Sequence, residues 1–268
     1  MSTEVLPPIL LVGFGKIGGA LAAGWRERGL AVAVAVDPAM PATPGPEVLV
    51  VAEPTGIPAG FAPRAVVLAV KPQNAAAVVP LYARFAEAAV FLSIMAGRTI
   101  GGLRALLGTA AAVVRAMPNT PAAVGQGMTV ACAGPGVGTE QRSLCDRLLA
   151  AVGTVAWVED EALIDPVTAI SGSGPAYVFL LAELLERAGI EQGIPADLAR
   201  LMARRTIAGS GALLAASTED AAALRKAVTS PKGATEQALA VLMQEAAWPT
   251  LVSRAVAAAS ARSRELAG

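Results

Sequence analysis

Residues Ile9-Leu10-Leu11-Val12-Gly13-Phe14-Gly15-Lys16-Ile17-Gly18-Gly19 constrain the fold more than any other stretch. Four apolar residues run straight into Gly-x-Gly-x-x-Gly, and an alanine-rich segment with helical spacing follows. That order predicts a buried strand, a tight turn and a helix start. Gly13 permits the turn, Gly15 has no side chain to hold a pyrophosphate off the backbone, and Gly18 lets the helix lie close to the strand. The helix N-terminus adds unpaired N–H groups and a partial positive charge. Such a turn alone is a weak signal. Between a strand and a helix, this near the N-terminus, it points to a dinucleotide site, the alternative being a merely structural βα turn.

The first helix is predicted from Ile17 to Arg28, with Gly29 as its C-cap. Val32–Val36 is a short strand ending in Asp37, 19 residues beyond Gly18. A dinucleotide fold places there the acid that meets the adenine ribose; otherwise Asp37 simply starts a turn with Pro38. Met40–Gly60 holds Pro41, Pro44, Pro46, Pro54 and Pro58, which argues against a crossover helix, though Glu47–Ala52 can form a short strand. Further strands are expected at Ala65–Val70, Val90–Ile94, Ala110–Arg115, Met128–Ala133 and Thr154–Val158. Helices are expected at Ala75–Ala88, Thr99–Leu107 and Thr139–Val152. The alternation implies an α/β fold, a doubly wound parallel sheet with a mixed edge. Ligands of such sheets bind beyond the strands' carboxyl ends, where Val70-Lys71-Pro72, Met95-Ala96-Gly97 and Met117–Pro121 fall.

After Glu159 strand signals cease. A long helix is predicted over Asp165–Gly189, interrupted by Ser171-Gly172-Ser173-Gly174-Pro175, and another over Pro195–Ala216 with Pro at N1. Ser217 can cap Glu219–Val228. The chain breaks at Thr229-Ser230-Pro231-Lys232-Gly233-Ala234-Thr235, resumes as helix to Trp248, and ends in Pro249–Leu266. The Ser171–Pro175 break suits either a close helix crossing or a ligand. The Ser230–Thr235 break precedes a helix, so its N–H groups suit a carboxylate or an ordinary turn.

Composition excludes several chemistries. Among 268 residues none is histidine, which removes a Ser-His-Asp triad, a His base and a His metal site; no metal is expected. Twenty-one basic and 21 acidic residues balance, so nothing suggests nucleic acid. Cys132 and Cys145 form no C-x-x-C, which fits a reduced cytoplasm. No uncharged apolar run of membrane-spanning length is expected, the best candidate, Ala75–Ala96, being broken by Pro80, Arg84 and Glu87. Met1–Pro8 contains Glu4 and lacks the basic start of a signal peptide. With 54% hydrophobic residues and no span, the surplus apolar surface points to a subunit interface.

Ile170-Ser171-Gly172-Ser173-Gly174-Pro175-Ala176-Tyr177 resembles the signature of the pyrroline-5-carboxylate reductase family. The glycine turn, Ala69-Val70-Lys71-Pro72-Gln73, Ser93–Gly97, Met117–Pro121 and Val228–Thr235 resemble it too, in order, over nearly the whole chain. The resemblance implies a Rossmann-type domain over residues 1–160 and an all-helical dimerisation and substrate domain over residues 161–268. It implies an oxidoreductase of proline biosynthesis, in which NADP or NAD in reduced form gives a hydride to 1-pyrroline-5-carboxylate, yielding L-proline. It further implies a cytoplasmic homo-oligomer, an interleaved dimer and often a ring of dimers, with no membrane partner. By position, Val12, Gly13, Gly15, Lys16 and Ile17 match the pyrophosphate turn, and Asp37 the adenine ribose site. Ala69, Val70, Lys71 and Pro72, with Met95, Ala96 and Gly97, match the ribose and nicotinamide flank. Ser230, Gly233, Ala234 and Thr235 match the substrate loop, Thr235 as the catalytic polar group near the ring nitrogen, and Glu161 matches an acid near the substrate.

Departures are Lys232 where the family usually has Gly, Ala221 for a common Pro, Pro166 for a frequent Ala, and the proline-rich stretch in place of a crossover helix. Pro38-Ala39-Met40 offers no cation for a 2′-phosphate and Asp37 would repel one, which favours NADH at least equally. Competing readings are a related dehydrogenase or imine reductase with another substrate, and a non-catalytic, cofactor-sensing homologue.

Overall fold

A computed structural model describes residues 5–40, 42 and 45–267; Glu4 and the prolines at positions 41 and 44 lie outside them. The first half builds β1 (Ile9–Val12), α1 (Lys16–Glu27), β2 (Ala33–Val36), β3 (Val48–Val51), β4 (Ala65–Leu68), α2 (Ala75–Val78), β5 (Val90–Ser93), α3 (Ile100–Leu107), β6 (Val113–Met117), β7 (Gly127–Ala133), α4 (Thr139–Ala150) and β8 (Gly153–Val158). The second half is helical: α5 (Ile164–Val167), a π turn over Thr168–Gly172, α6 (Gly174–Glu191), α7 (Ala196–Ala216), α8 (Ala221–Ala227), α9 (Ala234–Leu242) and α10 (Trp248–Ala267).

One eight-stranded sheet runs β3-β2-β1-β4-β5-β6-β7-β8. All neighbours are parallel except β6 and β7. It is the doubly wound α/β arrangement with a mixed edge. Parallel strands buried on both faces need apolar residues in both phases of the pleat. Accordingly Ile9 and Leu11 face α1 and α4 with Trp25 and Leu148, while Leu10 and Val12 face the opposite layer with Tyr82 and Leu103. Trp25 Nε1 donates to the Leu148 carbonyl at 2.9 Å, so burial of the indole leaves its one donor satisfied.

Several elements differ from expectation. Ala75–Ala88 is a single α turn followed by a 3₁₀ helix over Val79–Phe85. Pro80 has no N–H to continue the first helix, and a new start places it where that donor is not needed. The strand expected at Ala110–Arg115 lies at Val113–Met117, because Met117 pairs with Val130 of β7. Asp220 rather than Ser217 caps α8, its carboxylate accepting from Ala223 N at 2.7 Å, while Ser217 Oγ accepts from Glu219 N in the preceding turn. A carboxylate at a helix start also meets the dipole's positive end, which a hydroxyl does only weakly. The helix after Thr235 stops at Leu242, and Trp248 belongs to α10.

The chain divides into two compact units, Met1–Gly172 with Ala259–Gly268, and Ser173–Ala258. The first holds the sheet. In the second, the buried apolar residues among those described are Ala199 and Ala203, whereas Phe179, Leu180, Leu201 and Met202 are about half exposed. Helices bury a stripe only against a partner, so this unit lacks a core of its own. One helical stretch among the described residues, Glu161–Glu191, has the length and apolarity of a membrane span, 31 residues whose most apolar 18-residue window has mean hydropathy 1.3, although it is not free of charge.

Candidate active site

Strand register sets the site. Val12 pairs with both Val36 and Leu68, and Leu68 pairs with Ser93, so β2, β1, β4 and β5 end flush at one edge. The strand order reverses between β1 and β4, the switch point beyond which ligands of such sheets bind. Gly13, Asp37, Ala69–Pro72 and Met95–Gly97 all emerge along this edge.

The three motif glycines do different things. Gly13 has φ +93°, and a methyl group on it would stand 2.8 Å from the Ala69 carbonyl carbon and oxygen. A methyl on Gly18 would stand 2.5 Å from the Gly13 carbonyl oxygen, so α1 and β1 meet too closely for any side chain. Gly15 is exposed, extended, and has nothing within 4 Å of a methyl position. Above it lies open space at the start of α1, where the first N–H groups lack intrahelical partners. Those features suit a diphosphate. Lys16 is exposed and Ile17 half-buried beside them.

Asp37 braces the turn. Its Oδ2 accepts from Phe14 N at 2.7 Å and its Oδ1 from Ala39 N at 2.9 Å. A carboxylate has about four lone-pair directions, so these bonds leave capacity for ribose hydroxyls. Beyond β4, the Pro72 carbonyl accepts from Arg98 Nε at 2.9 Å, tying two strand-end turns together. Met95 is buried, with its N–H on Ser93 Oγ at 3.3 Å; Gly97 has φ +67°.

The sequence reading missed a charged cluster on the same edge. Arg115, 2% exposed, donates to Glu161 Oε1 at 3.0 Å and to Asp165 Oδ1 at 3.4 Å. Glu161 Oε1 also accepts from Ile100 N at 2.8 Å, and Asp165 Oδ1 from Ser263 Oγ at 2.8 Å. Glu161, expected near a substrate, thus holds the start of α3 and a buried guanidinium. A single charge inside the apolar strand Val113–Met117 was the available signal. Nearby, burial and then the Glu161 and Glu159 charges push the Cys132 thiol up, which keeps it protonated. Asn119 joins β6's end to the π turn: its Nδ2 donates to the Ser171 carbonyl at 3.2 Å, and its Oδ1 accepts from Met128 N at 2.9 Å. Gly172 faces the Met117 side chain, so that half of the Ser171–Pro175 break serves close packing.

In the helical unit, Ser230, Ala234 and Thr235 are exposed and Gly233 is half-buried at the N-cap of α9. Gly233 N donates to the Ser230 carbonyl at 3.0 Å and Lys232 N to Glu236 Oε2 at 2.8 Å, which closes the loop on itself. Lys232 adopts φ +61°, a left-handed conformation costing roughly 1 kcal/mol for a side-chain-bearing residue. The local backbone is therefore one that glycine adopts freely.

A doubly wound sheet with an open glycine turn at its switch point is the arrangement of the dinucleotide-binding oxidoreductases. The chain belongs to the pyrroline-5-carboxylate reductase family. It is 38% identical to the pyrroline-5-carboxylate reductase of Pseudomonas aeruginosa over 97% of both chains. The family model for pyrroline-5-carboxylate reductase dimerisation matches residues 161–266. A solved pyrroline-5-carboxylate reductase from Coxiella burnetii is 30% identical with a TM-score of 0.88, covering 98% of this chain and 99% of that one. The Plasmodium falciparum enzyme, solved with NADP bound, is 26% identical with a TM-score of 0.83 over 99% of this chain and 100% of that one.

Proposed function

We propose that this chain reduces 1-pyrroline-5-carboxylate to L-proline with NADH or NADPH, the last step of proline biosynthesis. The observation that carries the reading is 38% identity to a named reductase over an alignment covering 97% of both chains. The reduced nicotinamide supplies a hydride to the C=N carbon, and the ring nitrogen keeps the proton it already carries. Such an iminium is a good acceptor, so a chain without histidine suffices if it positions the ring.

In this reading, residues 1–160 bind the dinucleotide and residues 161–268 bind substrate and a second copy. Val12, Gly13, Gly15, Lys16 and Ile17 cradle the pyrophosphate, and Asp37 takes the adenine ribose. Ala69–Pro72 and Met95–Gly97 flank the nicotinamide ribose. The N–H groups at the start of α9, with Ser230 and Gly233, hold the substrate carboxylate. Thr235 offers its hydroxyl to the ring nitrogen, as a hydrogen-bonding group, since it titrates far above neutrality. Glu161 serves the site through Arg115 and Ile100. The exposed apolar helices pair with a second copy as an interleaved dimer, several of which form a ring, in the cytoplasm and without membrane or nucleic acid.

Nicotinamide absorbance tests the reading. Substrate-dependent oxidation is expected with both cofactors, at an NADH efficiency at least equal to that of NADPH. Asp37 would repel a 2′-phosphate, and Pro38–Met40 bring no cation. A strong NADPH preference would remove the Asp37 argument alone; cofactor binding without turnover would remove the reductase assignment. Thr235→Ala is expected to lower kcat/KM about tenfold, the size of one hydrogen bond to a charged group. Unchanged kcat and KM would exclude that role.

A further inference from the structure

Gly97 and Ile100 belong to one short stretch of chain, and both are held by the same distant helix end. A methyl on Gly97 would stand 2.9 Å from both the Cβ and the carbonyl oxygen of Leu266, so the last turns of α10 lie directly on this turn. Three residues earlier in α10, Ser263, 4% exposed, donates to Asp165 Oδ1. From there the bonds run from Asp165 to Arg115, to Glu161 and to Ile100 N. Gly97 to Ile100 closes one side of this ring, and Ser263 to Leu266 the other. All of its members lie in the sheet-bearing unit.

We propose that the Ser263–Leu266 end of α10 holds Met95-Ala96-Gly97 in its cofactor-binding form, with Ser263 as a positioning residue. This rests on the reading that Met95–Gly97 flanks the nicotinamide ribose. The turn needs holding: Gly97 sits at φ +67°, and glycine samples many other conformations when nothing fixes it. Two independent clamps act on it. Leu266 closes it from above, and the charge-assisted chain through Asp165, Arg115 and Glu161 fixes the helix start that follows it. A cofactor meeting a turn only partly in the competent form binds more weakly by that fraction. Loosening the clamp therefore weakens dinucleotide binding while leaving the imine's own contacts intact.

Ser263→Ala cuts the bond that ties α10 to the charged chain and leaves Arg115 on Asp165 and Glu161 on Ile100 N. NADH affinity, measured by quenching of its fluorescence, is expected to fall about fivefold, the range of one hydrogen bond. KM for the imine and kcat at saturating NADH are expected to stay within twofold of the parent. Ser263→Thr keeps the hydroxyl and is expected to restore the affinity. If Ser263→Ala lowers Tm with unchanged NADH affinity, or if Ser263→Thr binds as weakly as the alanine variant, the proposal is wrong. Asp165→Asn, nearly isosteric, keeps the Ser263 bond but weakens it to one with a neutral acceptor, and carries the test should the alanine variant not fold, with a loss of about threefold expected. Ala96→Glu separates the two levels. If it weakens NADH binding while Ser263→Ala does not, only the positioning role fails. If it leaves NADH binding unchanged, the turn is not part of the cofactor site, and the reading and the proposal fall together.

Discussion

Gly15→Val is expected to abolish dinucleotide binding, by about 100-fold or more, while leaving the fold nearly untouched. The position is exposed, its φ of −74° and ψ of −167° suit any residue, and a methyl there meets nothing within 4 Å. Exposed substitutions of that kind stay within about 0.5 kcal/mol of the parent stability. The added side chain fills the space above the first N–H groups of α1, where the pyrophosphate is proposed to lie. Losing two charge-assisted hydrogen bonds at about 1.5 kcal/mol each gives the stated factor. Gly18→Ala is the contrasting variant. Its methyl would enter within 2.5 Å of the Gly13 carbonyl oxygen, which is backbone and cannot turn aside. The roughly 1 kcal/mol that alanine gains over glycine in a helix is outweighed, and Tm is expected to fall. Two glycines of one motif thus separate into binding and folding. If Gly15→Val binds NADH normally, the turn is structural only and the cofactor lies elsewhere.

Legibility followed the range of the interactions involved. The β1–turn–α1 unit, the alternation of strands and helices and the helical second half depend on local patterns: short apolar runs, a glycine turn, period 3.6. Each could be read within about a dozen residues. Pro80 shows the limit of local reading, because a proline in a helical pattern can end one helix or begin another. Partnerships across the chain were not legible. Asp37 carried the expected acid, yet its bond to Phe14 N exists only because β2 lies beside β1. Glu161 was assigned by position to the substrate, and its carboxylate is committed to Arg115 and Ile100, residues 46 and 61 positions away. Lys232 marks the opposite case. Its departure from glycine was plain in the sequence, while its positive φ needed coordinates. The exposed apolar helices follow the expectation from composition, since 54% hydrophobic residues without an expected membrane span pointed to apolar surface at a subunit interface.

Replacing Arg115 by leucine is expected to cost the largest stability of any single change at this edge, about 3 kcal/mol. The guanidinium is only 3% exposed and pairs with two carboxylates. Their fates differ once it is gone. The Glu161 side chain, 29% exposed, keeps Ile100 N and can turn to water, so its charge remains solvated. The Asp165 side chain is 11% exposed and keeps only Ser263, so most of the cost arises there. An uncompensated buried charge is worse than no charge at all, which predicts partial recovery in a double variant. Arg115→Leu with Asp165→Asn should regain about half of the loss, because the amide needs no counter-charge and still accepts from Ser263. Urea titrations at one fixed protein concentration measure this, since subunit pairing makes apparent stability concentration-dependent. If the double variant is no more stable than Arg115→Leu, the loss comes from the missing arginine stem in the strand rather than from stranded charge.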